Sequence, residues 1–414
     1  MMDGSDRPDT VRARRALYAL NFFMADMQAG IGPFLGVFLQ QRGWATGVIG
    51  LVMTIGGLAG TAASTPAGAL VDATRRKRTC VIVSGLFTIL ASALIFGSQA
   101  FWIIAASQVA TALAAAALGP AVVGITLGVA RQSGFNRQNG RNQAFNHAGN
   151  MVGAGLSGLL GWAFGFAAVF WLAATFAVLS LVAVLMIPRR SIDDQAARGL
   201  EDAEGGDGER VHGWRVLWDC KPLLVLAAAL ALFHLGNAAM LPLYGLAVVQ
   251  AHKGDPAGFV AATVVVAQAV MIPASLVATR LAQTRGYWLV MLTAFVALPI
   301  RGLVAGGLIE GWGVYPVQAL DGVGAGLLSV AVPGLVARIL RGTGRVNVGQ
   351  GAVMTVQGVG AALSPAIGGG LAEAIGFRGA FLVLGAFALG SIALWLIFAS
   401  LLRPACASGQ AAAA

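Results

Sequence analysis

The sequence predicts an all-α membrane protein in which twelve transmembrane helices form two pseudo-symmetric six-helix bundles. Three observations support this fold class. Only 11% of the 414 residues are charged, long apolar stretches recur along the whole chain, and the two halves repeat the same helix landmarks. Soluble proteins carry about 25% charged residues. A chain with a mean hydropathy of +0.79 would aggregate in water, whereas lipid accommodates it.

A helix that crosses a membrane needs about 20 mostly apolar residues, and twelve stretches of the chain have this length and composition. Short connections between several of them, such as "GSQA" after the third, predict tight antiparallel hairpins. The twelve predicted spans lie at 16–38, 46–71, 79–97, 101–129, 142–162, 167–187, 222–247, 257–279, 287–308, 314–338, 348–371 and 377–401.

One connection is much longer and more polar than the others. Residues 188–221 are rich in glycine and acidic at their centre, which is typical of a flexible linker. We expect the acidic run to be a solvated segment rather than a docking site. The predicted domains are an N-terminal tail at 1–15, an N-terminal bundle at 16–187, the linker at 188–221, a C-terminal bundle at 222–401 and a C-terminal tail at 402–414.

Positive charge is concentrated on one side of the predicted membrane. All but four of the 27 Lys and Arg residues fall in the two tails or in connections on the same side. Arg42, Lys253 and Arg378 lie on the other side, and Arg301 lies inside a span. The positive-inside rule then places both termini in the cytoplasm, for a protein of the bacterial inner membrane. Topology thus explains the net charge of +10, and nucleic acid is not an expected partner.

Several other classes of protein are disfavoured by the sequence. Cys80, Cys220 and Cys406 have no spacing that indicates a disulfide framework or a metal site. The basic N-terminal segment lacks a small-residue cleavage pattern, so we expect a retained first helix rather than a signal peptide. The sequence shows no Ser-His-Asp set with supporting context, no metal cluster and no Walker lysine. We therefore expect neither an enzyme nor a cofactor, and any uphill transport must use an ion gradient.

The two halves of the chain share landmarks in the same order. Alignment on the prolines sets Asp72 opposite Thr279, and Gln108 opposite Asp321. This pattern fits two halves related by a pseudo-twofold axis along the membrane normal. The matching prolines are Pro33 with Pro242, Pro66 with Pro273 and Pro120 with Pro333.

The connection between spans 2 and 3, "GALVDATRRKR", is the most specific motif in the chain. It resembles the loop of the major facilitator superfamily that reads Gly, three residues, Asp, a basic residue, any residue, Gly and two basic residues. The resemblance implies that this loop controls the switch between outward-open and inward-open states. It also implies that Asp72 holds a contact between helices that breaks during switching. The matching residues are Gly68, Asp72, Arg76 and Lys77, whereas Ala73 and Arg75 depart from the pattern.

Two further patterns of the family are absent. Ala105 stands where proton-coupled members carry an Arg on span 4, and the glycine run of span 5 contains no Pro. Both departures disfavour a typical drug/proton antiporter.

Span 1 carries polar groups in the middle of "NFFMADMQAGIGP", among them Asp26 and Gln28. A charge at the centre of a membrane helix costs about 2.5–3.5 kcal/mol on insertion scales, so it usually faces a cavity or a partner. Helix 1 of the superfamily lines the central cavity, which makes Asp26 a candidate site for a proton or a substrate cation. The alternative is a carboxylate that a neighbouring helix satisfies.

Spans 9 and 10 each carry one charge, Arg301 and Asp321. At about 1.5 Å per residue, both charges fall about 10 Å from the outer ends of their spans, so they can meet as a buried ion pair. The pair is either structural or a coupling pair that opens when a proton or an anionic solute arrives.

His234 and Asn237 lie in the middle of span 7. Because a histidine in water titrates near neutral pH, His234 is a candidate for proton exchange. The alternative is a neutral hydrogen-bonding residue between helices. Gln108 on span 4 and Gln357 on span 11 are neutral candidates for the cavity wall.

The stretch "RNQAFNHAGN" opens span 5 with a row of asparagines, Asn142, Asn146 and Asn150, four residues apart. Gln143 and His147 form a second row beside it, so both rows lie on one side of the helix. This side is expected to point inward, either towards a cavity or gate or towards hydrogen bonds with other helices.

The sequence thus predicts a secondary transporter that works by alternating access as a monomer in the lipid bilayer. Protons are the expected coupling ion, with Asp26 as the first candidate carrier, followed by Asp321, His147 and His234. The expected solute is a small polar or partly anionic molecule. The alternatives are a multidrug or metabolite efflux pump acting as a proton antiporter, and a non-transporting membrane sensor or scaffold.

Overall fold

The computed structural model describes residues 8–29, 32–194, 196–198, 218, 220–253, 255–340 and 346–407. Within these ranges the chain is almost entirely α-helical and contains no β-strand. Nine described stretches are long and apolar enough to cross a membrane. They match ten of the twelve predicted spans, because Gly349–Ile397 covers two of them. Predicted spans 1 and 5 are not among the nine stretches. The helices are α1 Pro8–Ala29, α2 Gly32–Gln41, α3 Thr46–Ala73, α4 Lys77–Gly97, α5 Phe101–Phe164, α6 Phe166–Met186, α7 Lys221–Asn237, α8 Met240–Gln250, α9 Pro256–Thr284, α10 Tyr287–Gly307, α11 Val314–Ile339, α12 Val346–Ile397 and α13 Ala399–Cys406.

The described residues form two compact units. The first comprises 8–35 and 55–198, in which α1 packs against α5 and α6, and α4 packs along α5. The second comprises 36–54 and 218–407, in which α7 packs along α12, α9 along α11, and α10 against both α11 and α12. Each unit has its own apolar core.

Two of the long helices are interrupted where two predicted spans join. In α5 the break lies at Arg131, whose φ of 56° is left-handed. In α12 the break lies at Gly376, with a φ of 76°. Glycine adopts this conformation without steric cost, whereas an Arg there is unusual.

The first part of the predicted linker packs on the first unit. The chain forms two short 3₁₀ turns, Arg189–Ser191 and Ala196–Arg198. Asp193 donates its backbone N–H to the carbonyl of Gly128 at 3.0 Å, and its carboxylate pairs with Arg131 at 3.1 Å. Most of the remaining linker lies outside the described residues.

The beginning of α3 lies in the second unit, because it packs closely on α12. The N–H of Gly47 donates to Oε1 of Glu373 at 2.8 Å, and the N–H of Ala366 donates to Oγ1 of Thr54 at 3.0 Å. A Cβ atom at Gly50 would lie 2.1 Å from the carbonyl oxygen of Pro365. The absence of a side chain at Gly50 therefore permits this approach, as small residues do between membrane helices.

Candidate functional site

Arg301 on α10 is one of the largest fully buried side chains of the described structure, with 1% of it exposed. Its Nη1 donates to Oδ1 of Asp321 on α11 at 2.7 Å. The two charges therefore meet as a buried ion pair, at the contact that the lengths of spans 9 and 10 predict. Such pairing is how an ionisable group is tolerated inside a membrane.

Asn237, the last residue of α7, connects both members of the pair. Its Oδ1 accepts a hydrogen bond from Nη1 of Arg301 at 2.7 Å, and its Nδ2 donates to Oδ1 of Asp321 at 3.1 Å. One side-chain amide thus joins α7 to α10 and α11 at the position of the two charges.

Gln318 on α11 supplies a third acceptor to the guanidinium, whose Nε has no hydrogen-bond partner among the described residues. Its Oε1 accepts from Nη2 of Arg301 at 3.1 Å, and the residue is fully buried. Sequence reasoning missed Gln318. The available signal is its spacing, since residues three apart share a helix face and Gln318 precedes Asp321 by three. Arg301 therefore has one charged and two neutral oxygen acceptors. We use the name Arg301 network for Asn237, Arg301, Gln318 and Asp321.

His234 lies one helical turn before Asn237 on α7 and is half-buried. Its ring packs edge-on against the ring of Phe233, with 5.4 Å between the ring centroids. The structure thus places His234 beside the Arg301 network along α7, and its role in proton exchange stays a prediction.

The Arg301 network lies where the helical hydrogen bonds of predicted span 7 are locally interrupted, while Ala238 and Ala239 keep helical backbone angles. Helix α7 ends at Asn237 and α8 begins at Met240. Pro242 has no N–H to bond the carbonyl of Ala238, which favours the interruption. The N–H of Ala239 donates instead to Oγ of Ser364 on α12 at 2.9 Å. The break is therefore fixed by hydrogen bonds on both of its sides.

Asn142 joins the two limbs of α5 on either side of the break at Arg131. It is 2% exposed, its Nδ2 donates to Oγ1 of Thr126 at 3.0 Å, and its Oδ1 accepts from Nε2 of Gln138 at 3.0 Å. This geometry is a hydrogen-bonded packing contact within the first unit.

The rest of the asparagine row lies along α1. Nδ2 of Asn146 donates to the carbonyl of Asn21 at 3.3 Å, and Nδ2 of Asn150 donates to Oδ1 of Asn146 at 3.4 Å. A Cβ atom at Gly149 would lie 2.0 Å from the carbonyl oxygen of Phe22. Asn146 and Asn150 thus follow a tight contact between α5 and α1, with His147 half-buried beside them.

The basic residues of the motif between α3 and α4 differ in their surroundings. Lys77 is buried, and its Nζ donates to the carbonyl of Val71 at 3.0 Å, at the end of α3. Arg76 is exposed, and a Cβ atom at Gly68 would meet no atom within 4 Å. The side chain of Asp72 lies outside the described residues, so its expected contact between helices stays a prediction.

The remaining candidates are isolated from these clusters or lack a described side chain. The side chains of Asp26 and Gln28 lie outside the described residues, although their backbone belongs to α1. Gln108 lies where α5 approaches α3, because a Cβ atom at Gly56 would lie 3.0 Å from Cβ of Gln108. Gln357 is half-buried on α12. Among the described residues, no His, Cys, Asp and Glu side chains form a group that could hold a metal ion.

Known proteins resemble this chain in sequence and in fold. A family model described as Major Facilitator Superfamily matches residues 17–347. Uncharacterised MFS-type transporters from two strains of Mycobacterium tuberculosis are 37% identical over 387 residues, which cover 93% of this chain and 93% of each relative.

Two solved structures show the same fold. The nucleoside transporter NupG superposes with a TM-score of 0.73 at 13% identity, covering 95% of this chain and 99% of NupG. A bacterial homologue of the human lysosomal transporter Spinster, in an inward-facing and unoccupied conformation, gives a TM-score of 0.74 at 14% identity and covers 98% of this chain and 100% of that protein. The family model matches most of the chain, and the relatives are of nearly equal length. This protein is therefore a multi-pass membrane transporter of the major facilitator superfamily.

Proposed function

We propose that this transporter moves a small polar solute across the bacterial inner membrane by alternating access and couples that movement to protons. In this proposal the protein acts as a monomer. Both termini lie in the cytoplasm, as the distribution of Lys and Arg supports. The proposed moving parts are the bundles at 16–187 and 222–401, connected by the linker at 188–221. The proposal involves no nucleic acid and no cofactor.

The observation that carries the proposal is the Arg301 network. A buried ion pair is a poor device for stability, because the cost of removing two charges from water exceeds much of their attraction. Charges inside membrane helices are therefore functional candidates by default, with the partner named. Here the partner is Asp321, at 2.7 Å from Arg301.

The chemistry of the network suits a reversible proton step at Asp321. A proton on this carboxylate removes its charge and weakens its bond with Arg301. The guanidinium keeps two neutral acceptors, Asn237 at 2.7 Å and Gln318 at 3.1 Å. Arg301 therefore keeps two hydrogen-bond acceptors when the proton removes its countercharge, although the uncompensated buried charge still costs free energy.

Protonation of Asp321 also affects the backbone at the end of α7. Asn237 donates to Asp321 and ends α7 at the break before Met240. Protonation of Asp321 weakens this bond, because hydrogen bonds to a charged acceptor are about twice as strong as bonds to a neutral one. We infer that the charge on Asp321 biases the geometry of the break between α7 and α8.

The other proton candidates remain part of the proposal in a secondary role. Asp26 and His147 belong to the first unit, and His234 lies one turn from Asn237. In the first unit we propose that Asn142 acts in packing, because both of its described partners are side chains of α5. Asn146, His147 and Asn150 are proposed to line a gate.

Uptake by the purified protein in proteoliposomes tests the proposed function. The wild-type protein and protein-free vesicles are compared across a panel of labelled solutes, with and without an imposed pH gradient. Nucleosides belong in the panel because a nucleoside transporter shares the fold. We expect protein-dependent flux of at least one polar solute that responds to the gradient. No flux of any solute contradicts transport, and flux that ignores the gradient contradicts proton coupling.

A further inference from the structure

The atoms of the Arg301 network differ in their access to a solute. Arg301 has 1% of its side chain exposed, against 14% for Asp321. Gln318 is 0% exposed. The positive charge is thus covered by its own acceptors, and the negative charge is at the accessible edge of the network.

The two oxygens of Asp321 also differ. The hydrogen bonds from Arg301 and from Asn237 both end on Oδ1, at 2.7 and 3.1 Å. Within the described part of the chain, no hydrogen bond ends on Oδ2. Oδ2 can therefore accept a hydrogen bond from a solute while the network stays intact.

We expect the exposed part of Asp321 to contact water rather than lipid. A carboxylate that faces hydrocarbon at mid-membrane carries a cost of several kcal/mol, so intramembrane charges face cavities or partners. Asp321 lies eight residues into α11, well away from both helix ends. Its accessible edge is consequently expected to border an aqueous, solute-accessible space.

We propose that the transported solute presents an N–H or O–H donor, either an amine or a hydroxyl-bearing uncharged molecule, to Oδ2 of Asp321. This inference rests on the proposed function and defines its substrate class. Solutes that carry a carboxylate or a phosphate are excluded. The accessible negative charge of Asp321 repels them, and the positive charge of Arg301 is buried and does not contact the solute. The proposal narrows the expectation from the sequence, a small polar or partly anionic solute, to solutes without negative charge.

The test is a ligand-binding screen that does not depend on transport. Purified protein in detergent is titrated with uridine, putrescine, succinate and uridine monophosphate, and binding is measured by calorimetry and by the shift in thermal unfolding. Uridine and uridine monophosphate differ by one phosphate, so the pair isolates the effect of negative charge. We expect binding within the uridine and putrescine group, and none by succinate or the monophosphate.

The variant Asp321→Asn tests which atom is responsible. The amide keeps an oxygen for Arg301 and replaces the free acceptor with a donor, so binding of the donor solutes should weaken by about ten- to a hundredfold, the range of a hydrogen bond to a charged group. Glu310→Gln is the matched control. It neutralises an exposed carboxylate that pairs with Lys253 outside the predicted spans, and binding should be unchanged.

The outcomes separate this inference from the proposed function. Binding confined to succinate or the monophosphate, binding of neither uridine nor putrescine, or donor binding that Asp321→Asn leaves intact, each overturns the proposed substrate class. The selectivity of the wild-type protein decides the question even if the variant fails to fold. Gradient-driven flux of an anion refutes the class and leaves proton-coupled transport standing. Binding of uridine or putrescine without any flux supports the substrate class and refutes proton-coupled transport.

Discussion

Arg301 donates a hydrogen bond of 2.7 Å to Asp321, and the two side chains differ in exposure, with 1% of Arg301 and 14% of Asp321 accessible. The buried cation Arg301 is thus paired with an anion, Asp321, whose side chain is partly accessible. Proton uptake and solute contact can both occur on the exposed partner, while the cation stays fixed by Asn237 and Gln318.

The first prediction concerns the mutual dependence of the two charges. Arg301→Ala leaves Asp321 without its cation, so we expect a loss of about 3–5 kcal/mol in the free energy of unfolding. The double variant Arg301→Ala/Asp321→Ala removes both charges and should recover part of that loss. Thermal unfolding in detergent measures both. A double variant that is no more stable than Arg301→Ala would show that the pair does not act as a unit.

The second prediction concerns Gln318, which is fully buried and accepts from Nη2 of Arg301. Gln318→Leu leaves a donor of a buried guanidinium unpaired, at a cost of about 1–3 kcal/mol. Gln318→Glu restores an acceptor and should destabilise less than Gln318→Leu. Unfolding curves for the two variants give the order. Equal stability of both variants with the wild type would mean that Nη2 needs no partner.

The third prediction uses adjacent glycines of α12 as a matched pair. A Cβ atom at Gly369 would lie 2.6 Å from the carbonyl oxygen of Thr46, whereas at Gly370 it would meet nothing within 4 Å. Gly369→Ala therefore forces the start of α3 away from α12, and we expect a loss of about 1–3 kcal/mol from overpacking. Gly370→Ala should unfold at the wild-type temperature. Equal effects of the two substitutions would contradict the close approach.

The fourth prediction separates packing from transport in the asparagine row. Asn142→Ala removes two hydrogen bonds within α5, each worth about 0.6 kcal/mol in a membrane, so stability should fall slightly and the solute affinity should stay constant. Asn146→Ala and His147→Ala should instead lower the transport rate. Uptake assays and unfolding curves distinguish these results. Wild-type transport by both Asn146→Ala and His147→Ala would remove this row from the proposed gate.

The sequence predicted the contact between Arg301 and Asp321, because hydropathy fixes where each span begins and the helical rise then fixes the depth of each charge. It could not predict that Gln318 and Asn237 accept hydrogen bonds from the guanidinium of Arg301. Neutral amides occur at many positions, and their bonds depend on how helices rotate about their axes, which hydropathy does not specify.

The sequence also could not predict that the start of α3 packs against α12. Gly50 and Gly369 are two of 57 glycines in the chain, and composition does not say which of them lies between two backbones. The break of α5 falls in the predicted connection between spans 4 and 5, but no local signal places it at Arg131, since neither Gly nor Pro occupies that position. These features arise from tertiary packing rather than from local preference.

The proposed coupling depends on Asp321 as the carrier of the proton. The most direct measurement follows the internal pH of proteoliposomes with a trapped dye while a transported solute is added outside, for the wild type, Asp321→Asn and the control Glu310→Gln. We expect solute to drive a pH change in the wild type and in Glu310→Gln. Asp321→Asn, given solute at a concentration that offsets its about ten- to a hundredfold weaker binding, should move solute without moving protons. A pH change of wild-type size in Asp321→Asn would contradict the account.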